Sequence, residues 1–403
     1  MSTRQKLLWI AALYFAEGLP FGLFENTVPV YLRFQGISLA NIGLLSAAGL
    51  AWTLKFLWAP AVDRWGSRRT WVWICQALMM VPLTVLAVLD PVQIPWALWG
   101  TLVVLVLLSA TQDIAIDAYS IELLQKKELG VANGVRVMAY RVALIGTSGL
   151  LIAAAGWTGW SMVFISAALL IGGFALVSRR APSLEASRAP EPLRKPQSLR
   201  EAILEPVHQF LQRPGFLAVA LFILTFKLGD MALGPMVNPF WVDRAFTPGQ
   251  IGFIRTLAGI VTIGGAVLGG VLTSRWGIFR SLWILGILQA VSNLAYVAAA
   301  AIPTAPELMY IASIVESFCG GLGTAPFLAF LMSICDKGHA ATQYALLSAL
   351  FGLTRALSGA FSGIATEQLG YTAYFTATFF LAWPAFLLLP WVKVWAGDGR
   401  EDK

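Results

Sequence analysis

Again and again along its 403 residues, this chain strings together about twenty mainly apolar residues, with only a short turn between most of the runs. As an α-helix, a run of that length crosses the hydrocarbon core of a bilayer. Lipid offers no partner to a backbone N–H or C=O, so a spanning segment must bond internally as a helix or close into a barrel. Barrel strands need only about ten residues of alternating polarity, and the runs here are twice as long and unbroken. Composition agrees. The chain is 58% hydrophobic and only 12% charged, with a mean hydropathy of +0.73. Soluble domains carry about 25% charged residues, so most of this exterior has to face lipid. The 16 Trp and 24 Phe suit a bilayer and its interfaces. The expected fold is an all-α polytopic membrane protein of twelve helices.

The helices are predicted at 7–32, 38–60, 70–89, 95–119, 131–154, 160–177, 215–241, 249–273, 281–301, 308–333, 341–365 and 371–394. The first run is too long for a signal-peptide core and shows no small-residue cleavage site, so it is expected to span. Residues 178–213 differ from the other connections: Pro182, Pro190, Pro192, Pro196 and Pro206 lie there among acidic and basic residues. That composition predicts a flexible cytoplasmic linker between a six-helix bundle at 1–177 and a second at 214–403, the latter ending in a short tail.

Twenty of the 28 Lys and Arg fall on one side of this plan. Arg33 and Arg244 fall on the other, and six lie within helices. The positive-inside rule therefore predicts both termini in the cytoplasm. The same asymmetry accounts for the net charge of +7 without nucleic acid as a partner.

The two halves repeat at an offset of about 210. Asp63-Arg64-Trp65-Gly66 follows helix 2 and Ser274-Arg275-Trp276-Gly277 follows helix 8. Upstream, Asn41-Ile42-Gly43 matches Gln250-Ile251-Gly252, and Val28-Pro29-Val30-Tyr31 parallels Asn238-Pro239-Phe240-Trp241. Several matches at one offset indicate duplication, the mark of secondary transporters that bind their solute between repeats.

Charges inside a bilayer are expensive and face a bundle interior or a water-filled cavity. The acids Glu17, Glu25, Asp113, Asp117, Asp230 and Glu316 fall in helices 1, 4, 7 and 10. The bases Lys55, Arg136, Arg141, Arg255 and Arg355 fall in helices 2, 5, 8 and 11, with Lys227 in helix 7. Helices 3, 6, 9 and 12 carry none in their cores and are expected at the periphery. At 1.5 Å per residue, Glu17, Lys227, Asp230 and Arg355 lie near mid-membrane, while Arg136 and Asp117 approach the cytoplasmic interface and are expected to snorkel. Glu17 stands in Ala16-Glu17-Gly18-Leu19-Pro20, where Gly and Pro can break a helix and open its backbone to a cavity. Asp113 and Asp117 share a helix face, and a lone basic partner such as Lys55 or Arg141 would leave one of them able to carry a proton. A static charge cluster is the competing reading, as it is for Lys227 and Asp230 three residues apart.

The remaining motifs point away from catalysis. Cys75, Cys319 and Cys335 are scattered, and His208 and His339 sit in polar loops, so neither a disulfide framework nor a metal site or cofactor is implied. Gly264-Gly265 and Gly320-Gly321-Leu322-Gly323 lie in apolar helices, where close helix packing explains them better than phosphate binding. A membrane-embedded enzyme would need a convergent nucleophile, base or metal set, and a sensor would bring a further soluble domain.

The loop of Asp63, Arg64, Gly66, Arg68 and Arg69 resembles the helix 2–3 loop of the major facilitator superfamily, whose charges stabilise one access state. Two departures stand out: Ala59 replaces the leading Gly, and the second copy has Ser274 in place of the Asp. Phe15-Ala-Glu-Gly-Leu-Pro20, Trp52-Thr-Leu-Lys-Phe-Leu-Trp-Ala-Pro60 and Ser109-Ala-Thr-Gln-Asp-Ile-Ala-Ile-Asp-Ala-Tyr119 further resemble AmpG-like permeases, a group of muropeptide and acetyl-CoA transporters related to siderophore permeases. The resemblance implies a monomeric carrier embedded in the lipid bilayer, taking up a medium-sized polar solute with protons by alternating access. Facilitated diffusion or export is the alternative. Glu17, Asp113 and Asp117 are the expected coupling groups. Lys55, Arg141, Lys227, Asp230, Glu316 and Arg355 are candidates for solute or charge balance, and Tyr14, Trp52 and Tyr140 for stacking.

Overall fold

The computed structural model describes residues 1–124, 128–182, 212–335 and 340–393, and all regular structure among them is helical. The membrane-length helices are α1 (Thr3–Phe34), α3 (Arg68–Val88), α4 (Pro95–Leu123), α5 (Val131–Thr158), α6 (Trp160–Arg179), α7 (Phe216–Asp243), α8 (Pro248–Trp276), α9 (Ile278–Ala301), α10 (Glu307–Ser333) and the run Leu350–Val392. Leu39–Leu54, α2, is shorter and continues through a 3-10 turn at Lys55–Leu57 into Ala59–Arg64. Length and apolarity thus account for ten spans among the described residues. The expected twelve further requires α2 and a division of the last run at Gly370 into α11 (340–369) and α12 (371–392). The predicted linker lies largely outside the described residues, as do His208, His339 and the tail after Lys393.

Local chemistry sets several boundaries. Ser2 and Gln5 form a reciprocal capping box that starts α1, each side chain accepting from the other's backbone N–H. The Ser67 hydroxyl accepts from the Thr70 N–H and opens α3. Gly370 has φ 75° and ψ 160°, a backbone region closed to side-chain-bearing residues, so one long apolar run becomes two helices there.

The helices are not uniform inside. Gly18 and Pro20 do not break α1, which runs helically from Thr3 to Gly22. The irregularity comes one turn later as a π-helical turn at Leu23–Thr27, facing a second at Gly146–Leu151 in α5, where Thr27 donates to the Thr147 carbonyl at 2.9 Å. Gly18 is instead a contact point, because a Cβ there would meet the Ala143 Cβ of α5 at 2.9 Å. The interruption expected of α1 is found in α7: its first arm ends at Phe226, and Lys227 stands at the break with φ −104° and ψ 5°.

The chain divides into two compact units. Unit 1 takes the described residues of 1–38, 48–189 and 241–256. Its core includes Ile10, Leu13, Tyr14, Val62, Val72, Ile116 and Tyr119. Arg33 clasps Asp243 there through two parallel hydrogen bonds of 2.5 and 2.8 Å. Unit 2 takes the described residues of 39–47, 190–240 and 257–403. It is built on an aromatic core of Phe222, Phe226, Phe327, Phe330 and Phe386, with Phe226 and Phe327 stacked 5.2 Å apart. Glycines bring α8 against α10: a Cβ on Gly265, Gly269 or Gly321 would lie within 2.5 Å of a carbonyl oxygen of the other helix. That is the close packing expected of these stretches.

Candidate functional site

Unit 1 gathers the three motif segments of its sequence at one place. Pro20 has no N–H, which leaves the Ala16 carbonyl without its helical donor. The Gln112 amide of α4 supplies one, Nε2 to the Ala16 oxygen at 3.2 Å, from a fully buried position. Trp58, just after the 3-10 turn, donates its indole N–H to the Thr111 hydroxyl at 3.1 Å. Three backbone segments are thereby fixed around Asp113.

The charged groups follow from that framework. Lys55 ends α2, and its ammonium bonds directly to the Asp113 carboxylate and reaches Asp117 Oδ2 at 3.6 Å. Glu17 lies beside Asp113, and its Oε2 is buried without a hydrogen-bond partner among the described residues. Asp117 accepts from the Tyr14 hydroxyl at 2.7 Å and pairs with Arg136 at 3.2 Å, and the Arg136 guanidinium lies 4.5 Å above the Tyr14 ring. Among the described residues the group therefore holds three carboxyls against two cations.

Depth along the helix had set Arg136 and Asp117 at the interface. The structure brings both into contact with this group, α5 packing along α1 with Arg136 above Tyr14, and leaves their side chains 45% and 32% exposed. Arg141, five residues further along α5, is exposed, and the guanidinium paired with Asp117 belongs to Arg136. Of the proposed stacking residues, Tyr14 is buried, while Trp52 and Tyr140 pack around Phe21, with Trp52 edge-on to it at 4.9 Å.

Unit 2 holds a second polar centre. Lys227, at the break in α7, donates to Gln289 Oε1 of α9 at 2.5 Å, to the Gly320 carbonyl of α10 at 3.3 Å and to Asp230 Oδ2 at 3.4 Å. Gln289 Nε2 donates in turn to Asp230 Oδ2 at 2.5 Å. Glu316 is near enough for its charge to act on Lys227, and both it and Arg355 are half-buried in α10 and α11. Gln112 and Gln289 were missed in the sequence, because a neutral amide in an apolar helix carries no signal in a scan for charge.

In the helix 2–3 loop, Gly66 has φ 72° and Arg64 is exposed. Arg68 donates to the Val62 carbonyl at 2.5 Å and approaches Glu122 of α4 at 3.6 Å. Arg69 donates to the Ala181 carbonyl at 3.0 Å. The loop is thus tied to the ends of α4 and α6; the Asp63 side chain lies outside the described residues.

Comparison with known proteins agrees with this architecture. The sequence profile of the Major Facilitator Superfamily matches residues 10–233. The chain is 34% identical over 391 residues to the anhydromuropeptide permease of Escherichia coli (strain K12), an alignment covering 94% of this chain and 77% of that relative. Among solved structures it resembles the nucleoside transporter NupG, with a TM-score of 0.73 and 18% identity over 98% of this chain and all of that one. A D-xylose-proton symporter gives a TM-score of 0.69 at 13% identity, covering 98% and 97% of the two chains. Likeness at that identity speaks for the fold alone. A matching profile over more than half the chain, with a relative at 34% identity along nearly all of it, places this multi-pass membrane protein in the Major Facilitator Superfamily, among the AmpG-like permeases, as a transporter and not an enzyme.

Proposed function

We propose that the chain is a proton-coupled permease that brings an anhydromuropeptide-like solute across the bacterial inner membrane by alternating access. Bundles 1–177 and 214–403 move about the solute, the linker 178–213 lies in the cytoplasm with both termini, and one chain is the working unit. The observation that carries the reading is the imbalance in unit 1: among the described residues, the cations that Glu17, Asp113 and Asp117 meet are Lys55 and Arg136. Two neighbouring carboxyls in a sheltered site repel one another when both are ionised, so in this reading the pair carries one proton. That proton balances the group. Its release when the site opens to the cytoplasm leaves a net negative charge that has to be neutralised again before the next cycle. The similarity to a permease for anhydromuropeptides supports the solute class, and the charged helix 2–3 loop suits a state-stabilising role.

Reconstituted uptake tests this. Proteoliposomes given radiolabelled anhydromuropeptide and an acidic exterior should accumulate it, about tenfold per proton for each unit of pH gradient. Glu17→Gln fixes the pair in its proton-bearing form, so solute exchange should persist while gradient-driven accumulation falls to equilibrium. Wild-type uptake that equilibrates regardless of the gradient would leave facilitated diffusion in its place.

A further inference from the structure

Lys227, Gln289 and Asp230 in unit 2 form a closed set with one open end. The Lys227 side chain is only 4% exposed, and its ammonium meets three oxygens, one for each of its donors. It has no donor to spare for a solute. Gln289 is 3% exposed, and its amide orientation is dictated: a reversed amide would set its NH2 against an ammonium and its oxygen against a carboxylate. Asp230 differs from both. Its side chain is 13% exposed, and both of its donors converge on Oδ2. Among the described residues nothing hydrogen-bonds to Oδ1.

The surroundings are shaped for this set. The break in α7 lies at Lys227, and interrupted helices of this kind mark solute sites in transporters. Asp230 sits in the first turn of the second helical arm, where the helix dipole favours a negative charge. Gly323 of α10 makes room for Gln289, since a Cβ there would stand 2.0 Å from the Gln289 Oε1. Neither Gln289 nor Gly323 carries a charge, yet together they decide where the Asp230 carboxylate points.

We infer that Asp230 is a solute-contact residue in unit 2, aimed by Lys227 and Gln289, and that its Oδ1 takes a hydrogen-bond donor of the solute, a hydroxyl or an ammonium. Gln289 is a positioning residue and Lys227 the internal counter-ion. The inference rests on the proposed uptake only for the identity of the solute.

The decisive variant replaces the whole set with apolar residues, Lys227→Met/Asp230→Leu/Gln289→Leu. Apolar replacement of an entire buried ionic network commonly preserves the fold. The triple variant should keep the thermal midpoint of the wild-type protein but lose uptake of radiolabelled anhydromuropeptide. Gln289→Leu alone should raise KM about ten- to a hundredfold, the loss expected for a charge-assisted hydrogen bond, with little change in maximal rate. Competition with the same solute acetylated on its amino group separates the two donors: weaker competition assigns the ammonium, equal competition a hydroxyl. A folded triple variant with wild-type KM overturns the inference.

Should wild-type protein take up none of this solute, the proposed function fails, and accessibility decides the inference separately. In a background lacking Cys75, Cys319 and Cys335, Asp230→Cys should react with 2-aminoethyl methanethiosulfonate from the aqueous phase, and Lys227→Cys should not. An unreactive Cys at 230 overturns the inference.

Discussion

Pro20 and Gln112 show how a neutral side chain can govern a charged site. Proline in mid-helix removes one hydrogen bond and leaves a carbonyl exposed four residues back. Here that carbonyl belongs to Ala16, next to Glu17, and the donor that answers it is Gln112, next to Asp113. The two acids are held against each other by a bond that neither of them makes. Gln112→Leu should lower stability by about 1–3 kcal/mol, because a buried carbonyl would be left without a donor. Pro20→Ala restores an N–H to α1 and should recover most of that loss in the Gln112→Leu background. Thermal unfolding of the single and double variants in detergent measures the coupling; strictly additive effects would mean that the Gln112 bond does not substitute for the missing N–H. Lys55 in helix 2 and Asp113 and Asp117 in helix 4 were visible as charges within the spans. That Arg136 and not Arg141 joins them depends on which face of α5 meets α1, and charge spacing along one helix does not contain that information.

Among the elements, the second and third helices of each set of three are joined through a glycine at positive φ: Gly66, Gly159, Gly277 and Gly370 lie between 72° and 80°. The sequence showed the duplication at an offset of about 210. The recurring turn shows a finer repeat of three helices inside each half, the nested pattern known for this superfamily. Gly370 is the clearest case, because it is where the backbone between Ala340 and Leu381 leaves helical φ/ψ. Gly370→Ala should cost about 1–3 kcal/mol through backbone strain, seen as a lower thermal midpoint, whereas Gly173→Ala, in a helical glycine of α6 whose added Cβ meets open space, should be near neutral. Equal effects at the two sites would remove the turn from this account. The interruption of α7 at Lys227 was not legible. The break in α1 was expected on the strength of Gly18 and Pro20, yet that helix continues because α4 supplies the missing donor. Local composition proposes a break, and a neighbouring helix decides whether it occurs.

For the molecule as a whole, orientation is a matter of charge distribution. Basic residues crowd one set of connections, and the positive-inside rule predicts that side to be cytoplasmic. A C-terminal fusion to green fluorescent protein should therefore fluoresce, and a fusion to alkaline phosphatase at the same point should be inactive. The reverse pair of results would invert the predicted topology and place the helix 2–3 loop outside.

The sequence alone determined the membrane class, the helical nature of the spans, the two-half plan and the kinship with AmpG-like permeases. Each follows from hydrophobic length, charge asymmetry and short motifs, and these act locally or by simple summation along the chain. The tertiary structure decided which charges meet. Packing of α1 and the end of α2 against α4, and of α1 against α5, assembled Glu17, Lys55, Asp113, Asp117 and Arg136 into one group. Packing of α7 against α9 and α10 closed Gln289 onto Lys227 and Asp230. A hydrogen bond between residues nearly a hundred positions apart depends on the rotation of each helix about its axis, and that rotation is set by glycine contacts and buried amides in helices distant along the chain.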